Sequence, residues 1–113
     1  MEGLIVNKLI KNPYIGIRYN RESCSLYIYK IGEYDETENI VFNRSVLKVM
    51  EFLKRNSYQP ELTSINTVNG NIVYKYSLNK SVSEIRLTNR LKKIIDRECN
   101  FTKMYCIIVN DKI

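Results

Sequence analysis

The chain contains no histidine, no tryptophan and no alanine. The first absence excludes the most chemistry. Without an imidazole, serine or cysteine triads of the histidine type cannot be assembled, and the commonest general base and metal ligand is missing. Glycine is scarce and scattered. Gly3, Gly16, Gly32 and Gly70 form neither a GxGxxG nor a GxxxxGK[ST] pattern, so no glycine-rich loop is placed to cradle a nucleotide. Cys24, Cys99 and Cys106 are an odd set without CxxC spacing, which argues against a disulfide framework or a thiolate metal site and for reduced, buried thiols. Long apolar runs are missing too. The opening Met-Glu-Gly-Leu-Ile-Val-Asn-Lys-Leu-Ile is broken by Glu2 and Lys8, a pattern of neither a signal peptide nor a spanning helix. A cytoplasmic protein without a membrane partner is expected, without cofactor or resident metal, and not an enzyme.

What is present describes one basic domain. At 113 residues and 13.4 kDa the chain is too short to close a second core. Its 44% hydrophobic content suffices for one core, so global disorder is not expected. The net charge of +6 points toward anionic partners, because charge of this kind governs association rather than fold. Asn, Ile, Lys and Tyr are abundant, the skew of an AT-rich genome.

Periodicity orders the elements. Residues 3–10 and 13–19 are short apolar runs separated by Lys11-Asn12-Pro13, which reads as a leading hairpin. Ser25 to Ile31 is β-branched and aromatic and stops at Gly32, the mark of a strand. Glu33 to Glu38 reads as an exposed acidic loop, and Ile40-Val41-Phe42 as a short strand. Val46, Val49, Met50 and Leu53 follow at i, i+3, i+4 and i+7, which predicts a helix over residues 45–57 capped by Asn43 or Ser45 and closed by Pro60. Leu62–Val68 and Asn71–Ser77 flank Asn69-Gly70, a strong type I′ hairpin signal.

A second helix is expected from Ser81, where Ser81-Val82-Ser83-Glu84 has capping-box spacing, to about residue 98. The rival reading carries a strand through Ser83–Leu87 and caps a shorter helix at Thr88. Met104–Val109 is a final buried strand. From the Ser25 strand onward this order predicts an α+β fold. The arrangement expected is ferredoxin-like (split βαβ, βαββαβ order), an antiparallel sheet with two helices, extended by the N-terminal β-hairpin. A purely antiparallel sheet with both helices on one face is the alternative.

The chemistry of the chain concentrates in two patterns. Arg86, Arg90, Lys93 and Arg97 recur at i, i+4, i+7 and i+11, so a helix there carries a cationic stripe beside the apolar stripe of Leu87, Leu91, Ile94 and Ile95. Arginine's planar fork suits phosphate or carboxylate. The second pattern is aromatic: Tyr27 and Tyr29 share one face of a strand, as do Tyr74 and Tyr76, with Lys30 and Lys75 alongside. Bases stack on such platforms. Leu26-Tyr27-Ile28 resembles the start of the first signature of the RNA-recognition motif, whose element order is also βαββαβ. The chain departs from that family around Gly70–Tyr76, where Asn71 and Val73 stand at the base-stacking positions. Glu33, Asp35, Glu36 and Glu38 lack the spacing of a calcium loop, and Glu51 with Lys54 reads as a surface pair.

Two functions are expected from these patterns. The first is a small, basic, non-enzymatic binding protein that engages nucleic acid or a nucleoprotein through Arg86, Arg90, Lys93 and Arg97, with Tyr27, Tyr29, Tyr74 and Tyr76 as adjoining contacts. The alternative is a phage or mobile-element effector that inhibits a host protein, such as a defence system, by direct binding, since exposed tyrosines anchor protein interfaces. A sheet edge offers either one a route to a homodimer.

Overall fold

The computed structural model describes residues 13–110. Seven elements follow one another: β1 (Tyr14–Asn20), β2 (Ser25–Ile31), α1 (Glu36–Arg55), β3 (Glu61–Val68), β4 (Asn71–Ser77), α2 (Glu84–Cys99) and β5 (Tyr105–Ile108). The strands form one five-stranded sheet in the order β3-β4-β2-β1-β5. The fold is α+β.

Local chemistry explains most boundaries. Asn69 (φ 52°) and Gly70 (φ 82°) both take positive φ, which a type I′ turn between β3 and β4 requires and which Asn and Gly adopt at low cost. Helix α1 starts at a reciprocal cap. The Asp35 side chain accepts from the Glu38 N–H (2.8 Å), and the Glu38 carboxylate accepts from the Asp35 N–H (2.9 Å). Ser83 caps α2 by accepting from the Arg86 N–H.

The sheet is mixed. β1 pairs antiparallel with β2 and parallel with β5, while β2·β4 and β3·β4 are antiparallel. The crossover β2-α1-β3 leaves β4 between two parallel strands, which is the split βαβ unit. The departure from an antiparallel ferredoxin-like sheet lies at β1. This strand sits between β2 and β5, so the α2 crossover from β4 must pass over two strands before β5 docks. β5 then lies along β1 in parallel, with Ile15 opposite Cys106. Of the expected N-terminal hairpin, the 13–19 arm is β1, and the 3–10 arm lies outside the described residues.

Both helices cover one sheet face. Ile15, Ile17, Tyr19, Leu26 and Ile28 meet Phe42, Val49 and Leu53 of α1 and Leu87, Leu91 and Ile95 of α2 in the main core. Removing such side chains from water stabilises by roughly 1.5–3 kcal/mol each. A smaller cluster of Tyr29, Ile31, Val73 and Val109 occupies the opposite face. Gly16 makes room for it. A Cβ there would lie 2.9 Å from the Val109 side chain and 3.1 Å from Cβ of Tyr29.

Three local readings change. Ile40-Val41-Phe42 is helical, not a strand, because the Asp35 cap starts α1 upstream and Phe42 joins Ser45, Val49 and Leu53 on its buried stripe. Ser45 is therefore no cap. It lies fully buried in mid-helix, and its hydroxyl has no hydrogen-bond partner. At α2, Ser81 donates instead to the Arg21 carbonyl, and Thr88 donates to the Glu84 carbonyl one turn back. The helix starts between the two predicted points, at Glu84.

Candidate functional site

Because α2 begins at Glu84, Arg86 lies inside it and the cationic stripe is complete. Leu87, Thr88, Leu91, Ile95 and Cys99 turn inward, which leaves Arg86, Arg90, Lys93 and Arg97 all exposed. The sequence spacing dictates this, since one helix cannot bury both stripes.

What the sequence left unassigned is the opposite wall. α1 packs beside α2, and between them runs an open groove of about 370 Å³ lined by Lys48, Glu51, Phe52 and Arg55 of α1 and by Arg90, Lys93, Ile94 and Arg97 of α2. A second depression of about 270 Å³ continues it past the end of α1 and shares Phe52 and Arg90 with the first. Arg86 and the Ser83 cap lie on its wall. Six cations thus line the connected groove, Lys48, Arg55, Arg86, Arg90, Lys93 and Arg97, against the single carboxylate of Glu51. Lys48 and Arg55 are seven residues apart, a spacing that sets them on one helix flank. That signal was available in the sequence, but only the packing of α1 against α2 gives it meaning.

Ion pairing spares the stripe. Among the described residues the salt bridges are Arg44–Glu98 (3.3 Å), Lys48–Glu51 (3.8 Å) and Lys92–Asp96 (2.6 Å). None of them uses Arg55, Arg86, Arg90, Lys93 or Arg97. Glu51 pairs with Lys48, one turn upstream, where the sequence suggested Lys54. Lys92 and Asp96 lie beside the stripe, and their hydrogen bond raises the Lys92 pKa. The groove floor is apolar. Phe52 and Ile94 form it, and the Arg90 guanidinium lies 5.1 Å from the Phe52 ring centroid. This stacking braces the arginine while its remaining N–H groups stay available.

The tyrosines are not one platform. By register Tyr27 stands opposite Lys75 and Tyr29 opposite Val73, on the sheet face away from the helices. Tyr74 stands opposite Ile28 and Tyr76 opposite Leu26, on the face beneath the helices. Tyr76 is buried there, and Tyr74 packs with its ring 5.5 Å from that of Phe42. Burial raises the Tyr76 pKa. Tyr29 is buried on the far face. Of the four, Tyr27 and Tyr29 line a solvent hollow, a cavity of about 190 Å³, where Arg18 lies 4.8 Å and Lys75 5.9 Å from the Tyr27 ring centroid. Asn71 also has a structural role: it is buried, and its side-chain oxygen accepts from the Gly32 N–H.

The remaining candidate chemistry is structural. Asp35 and Glu38 cap α1, and Glu36 and Glu38 in its first turn complement the helix dipole. The described residues hold no group of His, Cys, Asp or Glu side chains placed to share a metal ion. Burial pushes the Cys99 thiol up to about 11 and the Cys106 thiol up to about 12, away from thiolate chemistry. No described helix is long and apolar enough to cross a membrane.

No protein-family model matches the chain, and comparisons with curated proteins and with solved structures return no significant match.

Proposed function

We propose that the protein is a non-enzymatic nucleic-acid-binding module that holds a phosphate backbone in the groove between α1 and α2. The observation that carries this reading is the convergence of six cations from two helices on one open groove with a single carboxylate. Side chains that pair with phosphates position a nucleic acid and release its counterions, whereas sequence reading needs base-edge contacts. From Arg86 to Arg97 the stripe extends about 16 Å along the α2 axis. That length covers on the order of five phosphates of one strand at the axial rise of a duplex. Binding is therefore salt-dependent and tolerant of sequence.

The test is fluorescence anisotropy with labelled DNA and RNA oligonucleotides across a salt series. If all six cations neutralise phosphates, log K falls against log salt with a slope of about −5. The triple variant Arg86→Ala, Arg90→Ala, Arg97→Ala flattens this slope by about 3 and weakens binding on the order of a hundredfold at low salt. Undetectable binding at low ionic strength, or a slope that the variant leaves unchanged, rules the proposal out. A lysate pull-down that recovers a protein after nuclease treatment, and no nucleic acid, would favour the alternative of a host-protein inhibitor.

A further inference from the structure

The sheet has two edges, and they are built differently. β5 is four residues long, too short to template much pairing. β3 is twice that length and lies at the other end of the strand order, with only β4 beside it among the described residues. From Leu62 to Val68 it reads Leu-Thr-Ser-Ile-Asn-Thr-Val, without charge, proline or glycine. Edge strands that stay unpaired carry such residues, or are bent by bulges or covered. β3 has a bulge only at its start, between Leu62 and Ser64, and its ladder with β4 is regular from Ser64 to Val68.

The surface beside this edge is apolar. Leu62 and Ile65, which share the helix side of the sheet with Tyr76 and Tyr74, are 47% and 55% exposed. α2 packs over β1 and β5, while α1 places Phe42 against Tyr74 of β4. The flank of α1 turned away from α2 therefore looks toward β3. Ile40 and Leu47, 53% and 62% exposed, are not part of that surface: helical spacing sets them nearly opposite the buried Phe42, Val49 and Leu53, facing solvent.

We infer that two copies of the chain pair antiparallel through β3, joining their sheets into one across a two-fold axis, with Leu62 and Ile65 as the flanking apolar contact. Charge selects the occupant. A second copy of a +6 chain is repelled wherever the cationic groove faces it, yet along Leu62–Val68 it meets no like charge. An acidic peptide or a nucleic acid, by contrast, is drawn to the groove and finds nothing charged at this strand. The antiparallel edge also complements itself under two-fold symmetry, since each strand offers its partner the same row of N–H and C=O groups. The axis stands perpendicular to the sheet, so both helical layers, and both grooves, lie on the same side of the dimer. This inference does not rest on the nucleic-acid reading and is tested on the protein alone.

Sedimentation velocity of the full chain, free of nucleic acid, from about 1 to 100 μM decides it. The expected mass approaches twice 13.4 kDa. Ile65→Lys sets two cations near each other across the axis and weakens association at least about tenfold. Tyr105→Lys at the other edge leaves the mass unchanged. Amide hydrogen exchange of Ser64–Val68 slows as wild-type concentration rises, a readout that needs no variant. A 13.4 kDa species at every concentration, an association that withstands Ile65→Lys or is lost in Tyr105→Lys, or concentration-independent exchange in β3 overturns the inference.

Discussion

The two helices make the same bargain with the core and opposite ones with solvent. Each is capped by a side-chain oxygen, Asp35 for α1 and Ser83 for α2, and each lays one apolar stripe on the same sheet face. Beyond that stripe they diverge. α2 exposes toward the groove cations that form no salt bridge among the described residues, and α1 adds Lys48 and Arg55 there but shows Ile40 and Leu47 on its outward face. Stability is thus shared between the helices, while the exposed charge is not, since four of the six groove cations come from α2. A charge pattern can vary freely on a helix whose fold is secured by the other side.

The sharpest way to break this comparison is to attack the shared role. Leu53→Ala in α1 and Leu91→Ala in α2, both fully buried, should each cost roughly 2–5 kcal/mol in denaturant unfolding. If either were nearly neutral, the helices would not hold the core equally. The Arg86/Arg90/Arg97→Ala triple should do the reverse, losing nucleic-acid binding on the order of a hundredfold while the unfolding midpoint hardly moves, because the residues are exposed and outside the salt bridges among the described residues.

A smaller effect separates the buried faces. Ser45 of α1 buries a hydroxyl without a partner, whereas Thr88, its buried counterpart in α2, donates to the Glu84 carbonyl at 2.8 Å. Ser45→Ala should therefore raise stability by about 1 kcal/mol, and Thr88→Ala should not, as thermal melts can show. The smallest effect is in pH. Cys99 of α2 and Cys106 of β5 have folded pKa values raised by burial to about 11 and about 12 from an ordinary 9.0. The unfolded chain releases these protons first, so stability is intact below pH 9.0 and declines as pH rises toward 11 and 12. Melting temperatures should hold from neutral pH up to pH 9.0 and fall from there toward pH 11 in the wild type, and fall less in Cys106→Val.

The legible parts of the fold were those in which local chemistry and burial agree. β2, the β3-β4 hairpin and β5 could be read directly, because β-branched runs ended at Gly32, at Asn69-Gly70 or at the chain's polar tail. The beginning of α1 could not. Asn39-Ile40-Val41-Phe42 has the composition of a strand, and the Asp35–Glu38 box that overrides it sits inside an acidic stretch that also suits a loop. Asn39-Ile40-Val41-Phe42 and Asn71-Ile72-Val73-Tyr74 are nearly the same four residues, yet the first is helix and the second strand.

The candidate site divides likewise. Helical spacing alone placed Arg86, Arg90, Lys93 and Arg97 on an accessible stripe, and it fixed which tyrosines share a strand face. Both follow from the periods of 3.6 and 2 that backbone geometry imposes within one element. Which elements meet was beyond its reach. Only the tertiary structure set Lys48, Arg55 and Phe52 across from the stripe, put Tyr27 and Tyr76 on opposite sides of the sheet, inserted β1 between β2 and β5, and left β3 at an edge. Pairing and packing between distant segments depend on the whole core closing at once, and no single stretch of sequence carries that information.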